Sequence, residues 1–269
     1  MTKPFLRWAG GKTWFTNHIE ELLPRNINNY YEPFLGGGAI FFYLKSKGLI
    51  NGKCYLSDSN EELINAYKVL KRNPKELFEL LKTHINSETE YYRMRETIYT
   101  DNIERASRFI YLNKTSFNGI YRVNKNGGYN VPFGHRKLEK MYDFEHLTRV
   151  SKMFKNCFFT VKDFKKVLYD VKENDLIFID PPYTVAHENN GFIQYNQSLF
   201  SWENQIELSK MLIKIKNKNA NFIMTNASHW SIEKLYNDKG NKTTLSRAST
   251  IGGIGANRTK YKELIYTNL

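Results

Sequence analysis

The tetrapeptide Asp180-Pro181-Pro182-Tyr183 follows directly on the apolar run Leu176-Ile177-Phe178-Ile179. Two successive prolines fix φ at both positions, so the turn is stiff and presents its carboxylate and carbonyls in one geometry. They also remove two backbone donors, which leaves a site rich in acceptors. Tyr183 adds a flat apolar face with a polar tip. Acceptors beside an aromatic platform suit an exocyclic amino group on a planar base. Two further segments carry ligand chemistry. Gly36-Gly37-Gly38 lets the backbone come close to a ligand at a helix start, or forms a plain tight turn. Asp58, within Ser57-Asp58-Ser59-Asn60, can accept from both hydroxyls of a ribose, or cap a helix. Gly11-Lys12-Thr13 invites a phosphate-loop reading, but Leu6 stands where that motif requires glycine, which argues against ATP binding there.

These groups need a scaffold that brings strand ends together. Short apolar or β-branched runs at residues 29–34, 53–56, 157–161, 176–179 and 222–225 each end in a polar or glycine-rich turn. They alternate with helical patterns at 14–23, 39–47, 61–70, 74–85 and 103–113. Such alternation predicts an α/β fold with a mostly parallel, doubly wound sheet. Ligands in that architecture collect outside the carboxyl ends of the strands, where the glycines, Asp58, Asp163 and Asp180 fall.

Composition narrows the partner. Lys and Arg number 40 against 27 Asp and Glu in 269 residues, a formal net charge of +13, which favours a polyanion, nucleic acid first. From 105 to 138 there is no acidic residue, while Arg105, Arg108, Lys114, Arg122, Lys125, Arg136 and Lys137 supply seven positive charges. Residues 121–132 read as a β-hairpin with its turn at 125–128. Interleaved with Phe117, Tyr121, Tyr129 and Phe133, such a basic hairpin suits a DNA major groove. A second acid-free tract, 239–262, carries Gly252, Gly253 and Gly255 among basic residues and reads as a flexible loop able to track phosphates. Cys54 and Cys157 are far apart and no His/Cys cluster exists, so no metal site is expected. With no long apolar stretch and no signal-peptide core, a soluble cytoplasmic protein is expected, with no membrane partner.

In their order along the chain these motifs resemble the Dam-type DNA adenine methyltransferases, the D12 class, alpha group. Phe5-Leu6-Arg7-Trp8-Ala9-Gly10-Gly11-Lys12 resembles the N-terminal box of that family, and Glu32-Pro33-Phe34-Leu35-Gly36-Gly37-Gly38 its glycine loop. Ser57-Asp58-Ser59-Asn60 resembles its acidic ribose motif and Asp180 to Tyr183 its catalytic tetrapeptide. Phe117-Asn118-Gly119-Ile120-Tyr121-Arg122, with Asn130-Val131-Pro132-Phe133-Gly134, resembles its target-recognition hairpin. The resemblance implies a Rossmann-like S-adenosylmethionine-dependent sheet, from residues 1–62 and 150–269, with an inserted helical recognition module at 63–149 whose hairpin spans about 118–133. It implies methyl transfer from S-adenosyl-L-methionine to the 6-amino group of adenine in double-stranded DNA, in GATC or a related short site, by base flipping.

The same resemblance implies roles. Asp180, Pro181, Pro182 and Tyr183 are the expected catalytic residues. Trp8, Gly10, Lys12, Phe34, Gly36, Gly38, Asp58, Asp163, Phe164 and Asp180 are the expected cofactor contacts. Arg7, Phe117, Asn118, Arg122, Asn130, Pro132 and Arg136 are the expected DNA contacts. Arg7 stands where the family often has lysine, and Arg136 where an aromatic often follows the proline; both differences bear on the recognition sequence. Phe192 and Tyr195 resemble an aromatic pair near the flipped base. A monomer is expected, with a cognate restriction endonuclease as a possible partner. Two other readings remain open from the residues: transfer to RNA adenine or the cytosine 4-amino group, and a catalytically inactive DNA-binding relative.

Overall fold

A computed structural model describes residues 1–124, 126–138, 140–184, 200–248 and 260–269. Within them β1 (Tyr30–Glu32), β2 (Cys54–Asp58), β3 (Cys157–Val161), β4 (Leu176–Ile179), β5 (Asn221–Ala227), β6 (Asn241–Ala248) and β7 (Lys260–Thr267) form one sheet in the order β3-β2-β1-β4-β5-β7-β6. β4 pairs in parallel with β1 and β5, while β7 runs antiparallel to both β5 and β6. The fold is α/β on a mostly parallel sheet. β4 explains itself: all four residues are buried, the continuous apolar run of a central parallel strand.

The helices are α1 (Ala39–Ser46), α2 (Glu61–Arg72), α3 (Pro74–Thr83), α4 (Glu88–Glu96), α5 (Asn102–Thr115), α6 (Phe144–Met153), α7 (Trp202–Asn217) and α8 (Trp230–Tyr236). Their starts follow from local chemistry. Asn60, Ser87, Asp101, Asp143 and Ser201 each accept a backbone N–H of the first turn. Pro74 opens α3 at a position where its missing N–H costs nothing.

The chain divides into two compact units. One comprises Met1–Thr13, Leu35–Leu49 and Leu56–Val161; the other comprises Trp14–Phe34, Ile50–Tyr55 and Lys162–Leu269. In the second unit, Leu208, Met211, Leu212 and Ile215 form one face of α7 at helical spacing. They share a core with Ile177, Ile179, Phe222, Met224, Leu264 and Tyr266 of the sheet. In the first unit, Tyr91 and Met94 of α4 and Tyr111 and Leu112 of α5 share a core with Tyr129, Val131 and Phe133. The 121–132 hairpin is thus anchored by its aromatic and β-branched residues on two helices. Its backbone closes through Asn124 N to Gly128 O at 2.8 Å and Asn130 N to Arg122 O at 3.1 Å, with a bridge between Val123 and Tyr129.

Two expectations are corrected. The predicted helix at 14–23 is a pair of 3-10 turns, Thr13–Asn17 and Ile19–Leu22. Asn17 and His18 are poor helix formers, no side chain caps the second turn, and Pro24 follows at once. The tract 239–262 is strand at both described ends, because pairing along β7 supplies ladder partners to Thr243, Thr244 and their neighbours. Gly252, Gly253, Gly255 and Arg258 lie outside the described residues, as do Lys125, Phe192 and Tyr195.

Candidate functional site

Sheet register accounts for the geometry at the end of β4. Ile179 pairs with Met224, so Asp180 and Thr225 are the next residues along neighbouring parallel strands. The buried Thr225 hydroxyl donates to Asp180 Oδ1 at 2.7 Å. On the other side of β5, Ala227 pairs with Glu263 of β7, and the Tyr183 hydroxyl donates to the buried Glu263 carboxylate at 2.7 Å. Thr184, the next residue, donates to Phe200 O at 3.0 Å and accepts from Gln205 Nε2 at 3.1 Å. Gln205 Oε1 in turn accepts from Asn226 Nδ2 at 3.1 Å and the Tyr236 hydroxyl at 2.8 Å. A buried polar network with its groups paired specifies one arrangement. Asp180, Pro182 and Tyr183 stay partly exposed, whereas Pro181 and Thr184 are buried. The turn is therefore held at both ends while Asp180, Pro182 and Tyr183 stay partly open to solvent.

Near it in sequence and in the same unit, Asp163 is exposed. Its carboxylate accepts Lys165 N at 2.8 Å, opening a 3-10 turn. Phe164 is buried against Phe34 and Phe200, with ring centroids 5.4 and 5.3 Å away. Phe34 keeps part of its surface open.

In the other unit, Asp58 ends β2. Its Oδ2 accepts Gly36 N and its Oδ1 accepts Asn60 N, both at 3.0 Å. Burial pushes its pKa above the ordinary carboxylate value, and donation from the backbone of Gly36, Asn60 and Ser59 opposes that shift. The cap of α2 is Asn60, whose side chain accepts Leu63 N at 3.0 Å. The glycine loop is strictly a glycine loop: Gly36 sits at φ +47°, and a Cβ there would lie 2.6 Å from Cδ1 of Trp8. The indole thus lies against the loop, and its other neighbour is Tyr121, stacked at 5.8 Å. Gly38, at φ +67°, precedes α1. Lys12 is buried and donates to Gly10 O at 3.0 Å.

The expected DNA contacts also fall in this unit. Arg7 and Phe117 are exposed; Asn118, also exposed, sits in the left-handed region at φ +54°. Pro132 is exposed and its carbonyl accepts Phe117 N at 2.9 Å. Arg122 Nε donates to Asn130 Oδ1 at 2.8 Å, bracing the hairpin from outside. Arg136 donates to the carbonyl of Lys114, and its Nε is buried with no hydrogen-bond partner among the described residues. Burial lowers the pKa of Lys114 and of Arg136. The charge of Arg7 lowers both further, and Arg136 adds to the effect on Lys114. Three cations repel one another here, offset in part at Lys114 by the charge of Asp143, and a further anion would relieve the repulsion. Two members of the basic tract are spent on structure instead. Arg105 pairs with Glu61 and Glu62, and Arg108 donates to the carbonyls of Met94 and Arg95.

The D12 class N6 adenine-specific DNA methyltransferase family matches residues 8–250. The chain belongs to this family. It is an adenine-specific DNA methyltransferase. It is 35% identical over 276 residues to Type II methyltransferase M1.LlaDCHI of Lactococcus lactis subsp. cremoris, covering 99% of this chain and 95% of that protein. Type II methyltransferase M.MjaIII of Methanocaldococcus jannaschii is 38% identical over 84% of each chain. The DNA adenine methylase of Haemophilus influenzae is 30% identical over 98% of this chain and 92% of its own.

Membership of the D12 class implies S-adenosyl-L-methionine as methyl donor, and the residues present fit it. A carboxylate offers about four lone-pair positions. Backbone donors from Gly36, Asn60 and Ser59 take up part of that capacity at Asp58, and the remainder can accept from a ribose hydroxyl. Within the other unit by itself, Phe34 is partly exposed and Asp163 is exposed, a ring and an acceptor of the kinds that an adenine ring and its amine need. Sequence reasoning missed Thr225, Gln205 and Glu263. Nothing in a strand's sequence names its register partner, although Thr, Asn and Glu in apolar runs were the available signal. No group of metal-ligating side chains occurs among the described residues, and no described helix is long and apolar enough to cross a membrane.

Proposed function

We propose that this D12 enzyme extrudes adenine from double-stranded DNA and methylates its 6-amino group within GATC or a related short site. Bound S-adenosyl-L-methionine supplies a methyl group on a sulfonium, open to in-line attack by the amine nitrogen. That nitrogen is a poor nucleophile because its lone pair is delocalised into the ring. Asp180 and the Pro181 carbonyl accept hydrogen bonds from its two N–H groups and draw it toward tetrahedral geometry. As the nitrogen–methyl bond forms, the sulfonium's methyl bond breaks to leave a neutral thioether, and the one proton the amine sheds passes to Asp180 or to water. Pro182 keeps the turn rigid, and Tyr183 stacks on the extruded base. Orientation carries more of this reaction than acid–base strength.

Asp58 holds the ribose hydroxyls of the donor, and Asp163 with Phe164 and Phe34 its adenine. Trp8, Gly10, Lys12, Gly36 and Gly38 line its methionine side and backbone approach. Arg7 and Arg122 read guanine edges, the commonest specific contact of arginine with DNA. Phe117 and Asn118 enter the opened stack. Asn130, Pro132 and Arg136 contact the DNA at a phosphate or a base edge. In this reading residues 1–62 and 150–269 act as the catalytic domain and 63–149 as the recognition domain. The enzyme works as a cytoplasmic monomer, and the Type II names of two relatives support a cognate restriction endonuclease as its partner.

The observation that carries the proposal is the Asp180 carboxylate, presented at the end of a fully buried strand and oriented by Thr225 at 2.7 Å. Modified-base sequencing of DNA from a methylation-deficient host expressing the chain tests it. N6-methyladenine at one short motif is expected. Unmodified DNA from cells with soluble protein that binds S-adenosyl-L-methionine refutes it.

A further inference from the structure

Asn113 is buried on the last turn of α5, where a primary amide contributes little to helix formation and costs free energy unless its polar atoms are paired. Its partners come from outside the helix. Oδ1 accepts Arg7 N at 2.9 Å, and Nδ2 donates to Arg7 O at 2.8 Å and to Gly119 O at 3.2 Å. One side chain thus grips both backbone polar groups of Arg7, as a neighbouring strand would, and uses both amide hydrogens. Aspartate has no hydrogen to give the two carbonyls, and glutamine carries its amide one methylene too far.

The third bond reaches the loop that touches the Arg7 side chain. Gly119 sits at φ +66°, and a Cβ there would lie 2.7 Å from Cβ and 2.8 Å from Cδ of Arg7. The arginine stem therefore runs across the bare backbone of Gly119 while its head remains exposed. The same amide places both the backbone from which the guanidinium extends and the surface along which it runs.

We propose that Asn113 and Gly119 are positioning residues for DNA specificity, fixing the point at which Arg7 meets a base. The inference rests on the reading of Arg7 as a base contact. A misplaced bidentate contact forfeits discrimination at one base pair, about tenfold or more, while cofactor binding and turnover chemistry lie with other residues.

The test compares methylation rates of Asn113→Asp, Gly119→Ala and Arg7→Ala on the cognate duplex and on duplexes altered at each base pair. Thermal midpoints and S-adenosyl-L-methionine affinity are measured in parallel. The expected result is that Asn113→Asp loses about tenfold discrimination at the base pair where Arg7→Ala does, with cofactor affinity retained. If Arg7→Ala relaxes one position while Asn113→Asp slows every duplex equally, Asn113 is merely structural and the inference is overturned, with the Arg7 reading intact. If active Arg7→Ala keeps full discrimination, the Arg7 reading fails and the inference with it. Should Asn113→Asp not fold, Gly119→Ala decides: relaxation at the Arg7 position supports the inference, and unchanged discrimination overturns it.

Discussion

Replacing Thr225 by valine keeps the size and branching of a buried side chain and deletes one hydrogen bond, that to Asp180 Oδ1. A hydrogen bond to a charged group contributes about 1.5–3 kcal/mol. If the proposed alignment of Asp180 is needed at the moment of transfer, that contribution is lost from the transition state. At about 1.4 kcal/mol per factor of ten, methyl transfer slows by about 10- to 100-fold. Thr225 itself is neither a cofactor nor a duplex contact in this reading, and Asp180 keeps its carboxylate, so both dissociation constants should stay within about twofold of the parent, the change expected when an interaction is lost mainly in the transition state. Single-turnover methylation of a labelled duplex with saturating S-adenosyl-L-methionine isolates the step, and Thr225→Ser should restore most of the rate by restoring the donor. A folded Thr225→Val enzyme with an unchanged single-turnover rate refutes the reasoning, since Asp180 would then need no orientation from β5.

Three further outcomes follow from the same geometry. Asp58→Asn should weaken S-adenosyl-L-methionine by about tenfold or more, the cost of a charged acceptor. Because burial raises the Asp58 pKa, parent affinity should decline as pH falls toward a midpoint above the ordinary aspartate value, and the variant should lose that dependence in titration calorimetry. Gly36→Ala places a methyl 2.6 Å from the Trp8 ring on a backbone at φ +47°, so calorimetry should find cofactor binding abolished in a protein whose circular dichroism is unchanged. Burial depresses the pKa of His84, so the folded chain binds fewer protons than the unfolded one. The stability this contributes is complete above about pH 6.5, the unfolded value, and is lost as pH falls through the lowered folded value. His84→Gln should reduce the slope of the thermal midpoint between pH 7 and 5, and an unchanged slope would refute this assignment.

The local elements were legible because their signals are local. The run Leu176–Ile179 and its stiff turn, the glycine loop, and helices α2 and α5 with polar caps all announce themselves within a few residues. α4 escaped because its apolar face is narrow, although Ser87 and Glu90 carry a capping signature. The β6–β7 pair escaped because β6 is polar and exposed, an edge strand made by pairing. Sequence also could not separate the cations that face outward from Arg105 and Arg108, which are consumed by Glu61, Glu62 and backbone carbonyls contributed by distant positions. Thr225, Glu263 and Asn113 share that property. Each acts on a residue 45, 80 or 106 positions away, and only the folded register brings the pairs together.

The claim that Asp180 performs the transfer, and not binding alone, is tested most directly by Asp180→Ala. The rate of methyl incorporation into a cognate duplex is measured at saturating cofactor, beside the affinity of the same protein for that duplex. The account predicts incorporation indistinguishable from background with duplex affinity within about threefold of the parent, since an acceptor needed only in the transition state carries little ground-state binding. Methylation at a substantial fraction of the parent rate contradicts it.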